Sequence, residues 1–132
     1  MDDKQIRLLI EKAIAASQNA VCDFSNFRVG AAILTKDGRI FTGCNIENSS
    51  LTMVICAERV ALYKALSEGC REFTAIAVAA EGQDFCPPCG SCRQLLFEFA
   101  PDLKIIMADS KKDYTIKKIE ELLPMAFRFQ KR

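Results

Sequence analysis

Apolar residues near the start of the chain recur with the spacing of an amphipathic helix. They lie three or four positions apart, at Ile6, Leu9, Ile10, Ala13 and Ile14. This spacing places their side chains on one face of an α-helix. Asp2 and Asp3 come just before, where carboxylates interact favourably with the positive end of a helix dipole. The pattern therefore predicts a first helix with one buried face.

A different pattern follows, in which apolar and polar residues alternate. Residues 27–35 and 40–45 both alternate in this way, and Asp37-Gly38 lies between them. Alternation is typical of strands with one buried face, and an Asp-Gly pair favours a tight turn because both residues can adopt positive φ angles. We expect a β-hairpin of two antiparallel strands.

The remaining chain alternates between helical patterns and short apolar runs. In order, these predict a helix over 57–68, a strand over 75–80, a helix over 92–99, a strand over 103–108 and a helix over 116–123. Gly69 is a natural helix C-cap, and Pro101 and Pro124 cannot continue a helix. The two strand segments are apolar on both faces, as in central strands covered on both sides.

The order of these elements predicts an α/β fold. We expect a three-layer α/β/α sandwich with a mixed central sheet, in which two strand-helix-strand crossovers join parallel strands. A chain of 132 residues is in the usual range for one domain, so residues 1–132 are expected to form one. In such sheets the binding crevice lies where strands end and helices begin. The starts of the second and third helices should therefore face one another.

Composition narrows the class of protein. Half of the residues are apolar, and 18 Lys and Arg nearly balance 17 Asp and Glu, for a formal charge of +1. These values argue against a disordered or membrane-spanning chain. A charge this small gives no electrostatic reason to expect tight binding to a phosphate backbone. We therefore expect neither nucleic acid nor a membrane as a partner.

The most informative counts are seven Cys and no His. An odd number of cysteines behind a charged, helical start predicts a reducing, cytoplasmic location rather than a disulfide framework. The lack of histidine excludes Ser-His-Asp and Cys-His mechanisms. Acid-base chemistry must then use a carboxylate, a lysine, a tyrosine or a water on a metal ion.

Cysteines stand at the starts of two predicted helices. Cys56 opens the second helix, and Cys89 and Cys92 open the third. Thiolates are stabilised at helix N-termini, and three of them suggest zinc. A catalytic zinc ion keeps three protein ligands and a water whose pKa it lowers. Glu58, two residues after Cys56, can approach the fourth coordination position as a general acid/base. This combination indicates hydrolytic chemistry.

Cys86 leaves alternatives open. It could complete a closed, four-thiolate structural zinc site, as in a zinc-stabilised binding protein without catalysis, and Cys86-Pro-Pro-Cys89 also has the spacing of a redox C-x-x-C motif. An iron-sulfur cluster is disfavoured because no further Cys-Pro follows the third cysteine. Cys22, Cys44 and Cys70 are expected to be small core residues.

Four sequence blocks resemble one known family. They are NFRVGAA (26–32), GCNIEN (43–48), ICAER (55–59) and PCGSCRQ (88–94). The C-A-E and P-C-x-x-C elements form the signature of zinc-dependent nucleoside and nucleobase deaminases. In this order along nearly the whole chain, the blocks resemble the small, homotetrameric cytidine deaminases.

The resemblance implies a reaction and its machinery. Cys56, Cys89 and Cys92 would be the zinc ligands, and Glu58 would protonate N3 of the pyrimidine and then the departing ammonia. The expected activity is hydrolysis of cytidine and 2′-deoxycytidine to the uridine nucleosides, a step of pyrimidine salvage. A relative acting on another small molecule that carries cytosine is the alternative.

The resemblance also implies substrate contacts. Asn45 and Glu47 would hydrogen-bond the ribose 3′-hydroxyl, and Phe27 would form a wall of the pocket. The backbone amide of Ala57 would donate to the pyrimidine O2. Phe127 would reach the pocket of a neighbouring subunit in a homotetramer and stack on the base.

Two further residues need comment. Three thiolates on Zn²⁺ leave a net charge of about −1, which makes a bound water less acidic, so a nearby cation is needed. Arg59, adjacent to Glu58, is expected to supply it through hydrogen bonds to ligand sulfurs. Leu51 stands where many relatives have Tyr, which affects the expected subunit contacts rather than the zinc chemistry.

Overall fold

A computed structural model describes residues 1–82, 84–109 and 111–129 of the chain. Its helices and strands, in chain order, are α1 (Asp3–Ser17), β1 (Val29–Thr35), β2 (Ile40–Cys44), α2 (Ala57–Ser67), β3 (Phe73–Ala80), α3 (Gly90–Phe99), β4 (Lys104–Ala108), β5 (Tyr114–Lys118) and α4 (Ile119–Leu122). Asp2 caps α1, since its side chain accepts a hydrogen bond from the Gln5 amide. Among these residues no helix is both long and apolar enough to span a membrane.

The strands form one mixed sheet in the order β2-β1-β3-β4-β5. β1 is antiparallel to both β2 and β3, so β2 and β3 point in the same direction with β1 between them. β3 and β4 are parallel neighbours, and β5 is antiparallel to β4. Both crossovers, through α2 and through α3, therefore join strands of the same direction, as predicted.

The helices cover both faces of the sheet. Along β1, Ala31 and Ile33 pack in the core that contains α2, α3 and α4. Their neighbours Ala32 and Leu34 point to the other face and pack against α1. This alternation follows from the two-residue period of a strand. The predicted three-layer α/β/α sandwich is confirmed.

The hairpin turn differs in detail from the prediction. Of the two residues in the predicted turn, Gly38 has a positive φ (92°), whereas Asp37 does not. The Thr35 amide donates to the Arg39 carbonyl at 2.9 Å, and the Gly38 amide donates to the Thr35 carbonyl at 3.1 Å. The loop is therefore the three-residue type with glycine in the left-handed position, rather than a two-residue Asp-Gly turn.

The predicted helix over 116–123 is wrong for its first half. Residues 114–118 form strand β5, and only Ile119–Leu122 is helical. β5 pairs with β4, with Ile116 opposite Ile106. The apolar spacing of these residues suits a helix, but they form a strand because pairing with β4 satisfies the backbone hydrogen-bonding groups along its open edge.

A glycine sets how closely α2 approaches the sheet. A Cβ atom on Gly43 of β2 would lie 2.5 Å from the Ala57 carbonyl oxygen and 2.6 Å from the Ala61 nitrogen. Both atoms belong to the backbone, so they could not move aside without shifting the helix. The first turn of α2 therefore rests directly on β2, which fixes the position of the residues at its start.

Candidate metal centre

The cysteines predicted at the helix starts lie at two helix N-termini. Cys56 is the N-cap of α2 and Cys89 is the N-cap of α3, and neither side chain makes a capping hydrogen bond. Cys92 lies one turn into α3 and is buried. Because the two N-cap thiols are not used to cap their helices, their sulfurs can serve as ligands.

The three sulfurs form a cluster that suits zinc. The Sγ atoms of Cys56, Cys89 and Cys92 all lie within 4.8 Å of one another, and those of Cys56 and Cys89 are 3.8 Å apart. A tetrahedral zinc ion with Zn–S bonds of about 2.3 Å requires sulfurs about 3.8 Å apart. Cys89 is exposed and Cys56 half-buried, so the cluster is reachable from solvent. The donor set and its spacing fit zinc.

Proton affinities within the cluster differ strongly. A hydrogen bond with Cys92, helped by Arg59 and Cys89, lowers the pKa of Cys56 to about 5 against the opposing effect of burial. The same Cys56–Cys92 hydrogen bond, together with burial, raises the pKa of Cys92. Of these two thiols, Cys56 is thus the more readily ionised, and it lies next to a positively charged side chain.

Arg59 is the positive charge beside the cluster. Its Nη2 atom lies 3.7 Å from the Cys56 sulfur, and its Nε is buried without a hydrogen-bond partner among the described residues. The guanidinium is thus placed toward the sulfurs, as expected for a group that offsets thiolate charge.

Glu58 is buried in the first turn of α2, with a relative exposure of 4%. Burial raises the pKa of its carboxyl group, and the negative charge of Cys56 adds to that effect. The carboxyl therefore holds its proton more tightly than an exposed glutamate would. A general acid that works near neutral pH requires this kind of shift.

Cys86 is separate from the sulfur cluster. Only Cys56, Cys89 and Cys92 group together among the described residues, whereas Cys86 packs against the core around α2 and α3. Burial, with the nearby charge of Glu58, raises the pKa of the Cys86 thiol to about 11. All seven cysteines are free, so no disulfide joins Cys86 to Cys89. The structure thus provides three sulfurs for an ion, not four.

Asn45 and Glu47 follow β2 and hold one loop. Asn45 has a relative exposure of 8%; its Oδ1 accepts from the Val29 amide at 2.9 Å and its Nδ2 donates to the Phe27 carbonyl at 2.8 Å. Glu47 accepts hydrogen bonds from the amides of Phe24 and Ser25 at 3.1 and 3.0 Å. Its Oε2 also accepts from the Ser25 hydroxyl at 2.5 Å.

These bonds have consequences for two side chains. The contacts with Ser25, first of all the one from its hydroxyl, lower the pKa of Glu47, so this carboxylate is ionised at neutral pH. Phe27 lies in the same loop and its ring is partly exposed, as a pocket wall would be. Ser25 was missed by sequence reasoning; its only signal was its position just before the block that contains Phe27.

The other expected residues are placed as follows. Ala57 is the first residue of α2, and its side chain is fully buried. Phe127 has a relative exposure of 67% and lines a groove with Phe97 and Phe99, while its carbonyl accepts from Gln94 Nε2 at 2.9 Å. Leu51 has a relative exposure of 62% and an unusual φ of 61°. Within the one chain, Phe127 is directed to an open surface.

The fold and the site define a class. A mixed sheet brings two cysteine-led helices together, and a buried glutamate stands beside three sulfurs on a solvent-accessible edge. Three sulfurs that could hold an ion, with a carboxyl group beside them, suit a zinc-dependent hydrolase, a class in which three protein ligands leave one position for water.

Comparisons with known proteins agree. The family model described as the cytidine and deoxycytidylate deaminase zinc-binding region matches residues 3–108. The cytidine deaminase of Halalkalibacterium halodurans is 47% identical over 122 residues, which are 92% of each chain. The crystal structure of cytidine deaminase from Burkholderia pseudomallei has a TM-score of 0.89 and 44% identity, covering 96% of this chain and 100% of that one.

A second solved structure gives the same result. Cytidine deaminase from Mycobacterium tuberculosis superimposes with a TM-score of 0.84 at 34% identity, covering 98% of this chain and 100% of that one. The chain belongs to the cytidine and deoxycytidylate deaminase family, whose members are zinc-dependent hydrolases. The resemblance found in the sequence and the expected zinc cofactor are confirmed.

Replacing Cys86 and Cys89 separately by serine tests which thiols bind zinc. Cys89→Ser removes one of the three clustered sulfurs, and zinc affinity should fall by at least about 100-fold, beyond the effect of a group outside the ligand set. Cys86→Ser, the matched control, should keep one zinc ion per chain. Metal analysis with chelator competition measures both, and loss of zinc from Cys86→Ser would contradict a three-sulfur site.

Proposed function

We propose that the protein hydrolyses cytidine and 2′-deoxycytidine to uridine and 2′-deoxyuridine with release of ammonia, a step of pyrimidine salvage. The observation that carries the proposal is the buried Glu58 beside the three-sulfur cluster. Free nucleosides are favoured over polynucleotides, because a formal charge of +1 supplies no basic groove for a strand.

The chain's residues divide the chemistry among them. Cys56, Cys89 and Cys92 hold the zinc ion, which when bound activates water for attack near neutral pH. Glu58 accepts a proton from the attacking water and donates it to N3 of the pyrimidine, while the water oxygen forms a bond to C4. Glu58 then takes the second proton from the new C4 hydroxyl and passes it to the amino group, which leaves as ammonia as its bond to C4 breaks. Its buried, solvent-shielded position suits repeated proton transfer.

Other residues hold the nucleoside in place. The Ala57 amide lies at the start of α2, where backbone donors are free, and it donates to the pyrimidine O2. Phe27 forms a wall of the pocket. Asn45 and Glu47 hydrogen-bond the ribose 3′-hydroxyl, and their bonds to the 24–29 loop keep them oriented for it.

Substitution of Glu58 by glutamine tests the proton transfers. The amide keeps the shape of the side chain but cannot carry a proton, so kcat should fall by at least about 100-fold. Conversion of cytidine to uridine is followed by ultraviolet absorbance. Glu68→Gln, at the other end of α2, is the matched control and should retain the wild-type rate. Equal, sizeable rates for Glu58→Gln and wild type would contradict the assignment, whereas zinc binding with no conversion by either protein would favour a binding protein without catalysis.

Removal of Arg59 tests charge compensation. Its guanidinium lies 3.7 Å from the Cys56 sulfur, and Arg59→Ala should lower kcat by about 10- to 100-fold while zinc is retained. Arg59→Lys keeps a cation and should recover part of the rate. Steady-state kinetics together with zinc analysis separate an effect on turnover from metal loss. An unchanged kcat in Arg59→Ala would remove the argument.

We also propose a cytoplasmic homotetramer. Support comes from seven free cysteines, which suit a reducing compartment, and from large apolar side chains left exposed on the single chain, among them Phe24, Leu51, Met53, Phe127 and Phe129. In the tetramer, Phe127 reaches the pocket of a neighbouring subunit and stacks on the base.

Sedimentation velocity tests the assembly. The active protein should sediment as a species of four chains, because burying the exposed apolar side chains between subunits is favourable. Phe127→Ala should raise KM for cytidine, since the stacking ring is lost. Full activity in a species with the mass of one chain would contradict the tetramer.

A further inference from the structure

Ser25 connects two residues of the sugar side of the site. Its hydroxyl donates to Glu47 Oε2 at 2.5 Å and accepts a hydrogen bond from the Phe27 amide at 3.1 Å. Its own amide donates to Glu47 Oε1 at 3.0 Å. One short side chain therefore bonds both to the carboxylate and to the backbone of the aromatic wall.

The backbone around Ser25 is shaped for these bonds. Asn26 has a φ of 55°, in the left-handed region that asparagine tolerates better than most residues. This conformation brings the Phe27 amide back over the Ser25 hydroxyl, as in a serine turn. The Phe27 carbonyl is held by Asn45 at 2.8 Å, so both polar groups of the Phe27 backbone are fixed.

The bonds to Glu47 leave it little spare acceptor capacity. A carboxylate has about four acceptor positions, two on each oxygen. Oε1 accepts from the amides of Phe24 and Ser25, and Oε2 accepts from the Ser25 hydroxyl. Within the described part of the chain, one position remains on Oε2. A single hydroxyl group can occupy it.

We propose that Ser25 is a positioning residue for the sugar of the nucleoside: it orients the Glu47 carboxylate so that one acceptor remains for one ribose hydroxyl. This inference rests on the proposed function. One free acceptor position can accept a hydrogen bond from only one hydroxyl, so this carboxylate does not bind the 2′-hydroxyl as well. Acceptance of both cytidine and 2′-deoxycytidine follows from that geometry.

The test compares three nucleosides on three variants. Ser25→Ala removes the hydroxyl, Ser25→Thr keeps one, and Ser67→Ala is the matched control, since the exposed Ser67 hydroxyl donates only to the Lys64 carbonyl near the far end of α2. The substrates are cytidine, 2′-deoxycytidine and 3′-deoxycytidine. kcat and KM are measured for each pair, with zinc content and unfolding temperature as readouts independent of activity.

The expected effect is limited to nucleosides that carry a 3′-hydroxyl. Ser25→Ala should raise KM about tenfold for cytidine and 2′-deoxycytidine, the scale of one hydrogen bond to a charged group, with kcat and zinc content unchanged. For 3′-deoxycytidine, which lacks the hydroxyl concerned, KM should change by less than about twofold. Ser25→Thr and Ser67→Ala should resemble the wild type.

Several outcomes would overturn the proposal. One is an equal increase in KM for cytidine and 3′-deoxycytidine in Ser25→Ala, and another is a decrease in kcat or zinc content with KM unchanged. A Ser25→Thr variant as impaired as Ser25→Ala would also overturn it, as would an unchanged KM in a folded Ser25→Ala. A wild-type protein with no turnover of any of the three nucleosides would instead contradict the proposed function, and the role of Ser25 with it.

Discussion

Three sulfurs can share one small ion only if two helices begin at the same place in the molecule. The sheet provides this place. β2 and β3 point in the same direction on either side of β1, so their carboxyl ends lie at one edge. α2 follows β2 and α3 follows β3, so both helices begin at that edge. Gly43 then lets α2 rest directly on β2. The topology of the sheet therefore brings the three cysteines together, because it places the starts of both helices at the same edge.

Ionisable groups lie close together at this edge of the sheet, where each would be unfavourable if it were buried alone. A buried carboxyl, a readily ionised thiol and a guanidinium lie together at the start of α2, and the Nε of this guanidinium has no hydrogen-bond partner within the described part of the chain. Each is costly to bury alone, because charge is poorly solvated away from water. Together they partly compensate one another, and a bound cation would complete the balance. The first turn of α2 therefore suits a bound cation.

Much of this could be predicted from the sequence, and the failures have physical reasons. The period of α1, the alternation in β1 and the cysteines at two helix starts are local signals, and the structure places those elements and sulfurs accordingly. β5 was mistaken for helix because its strand character comes from pairing with β4, a contact that no local pattern records. Ser25 was missed for a similar reason: its partner Glu47 is 22 residues away, and a lone serine in a loop carries no periodic signal.

One strand serves two ends of the site. β2 presents Gly43 to the helix that begins with Cys56, and it leads directly into Asn45 and Glu47. The start of the sulfur-bearing helix and these two side chains are therefore held by the same strand. The spacing between the sulfur cluster and the proposed sugar contacts is therefore set by one strand rather than by two separate elements.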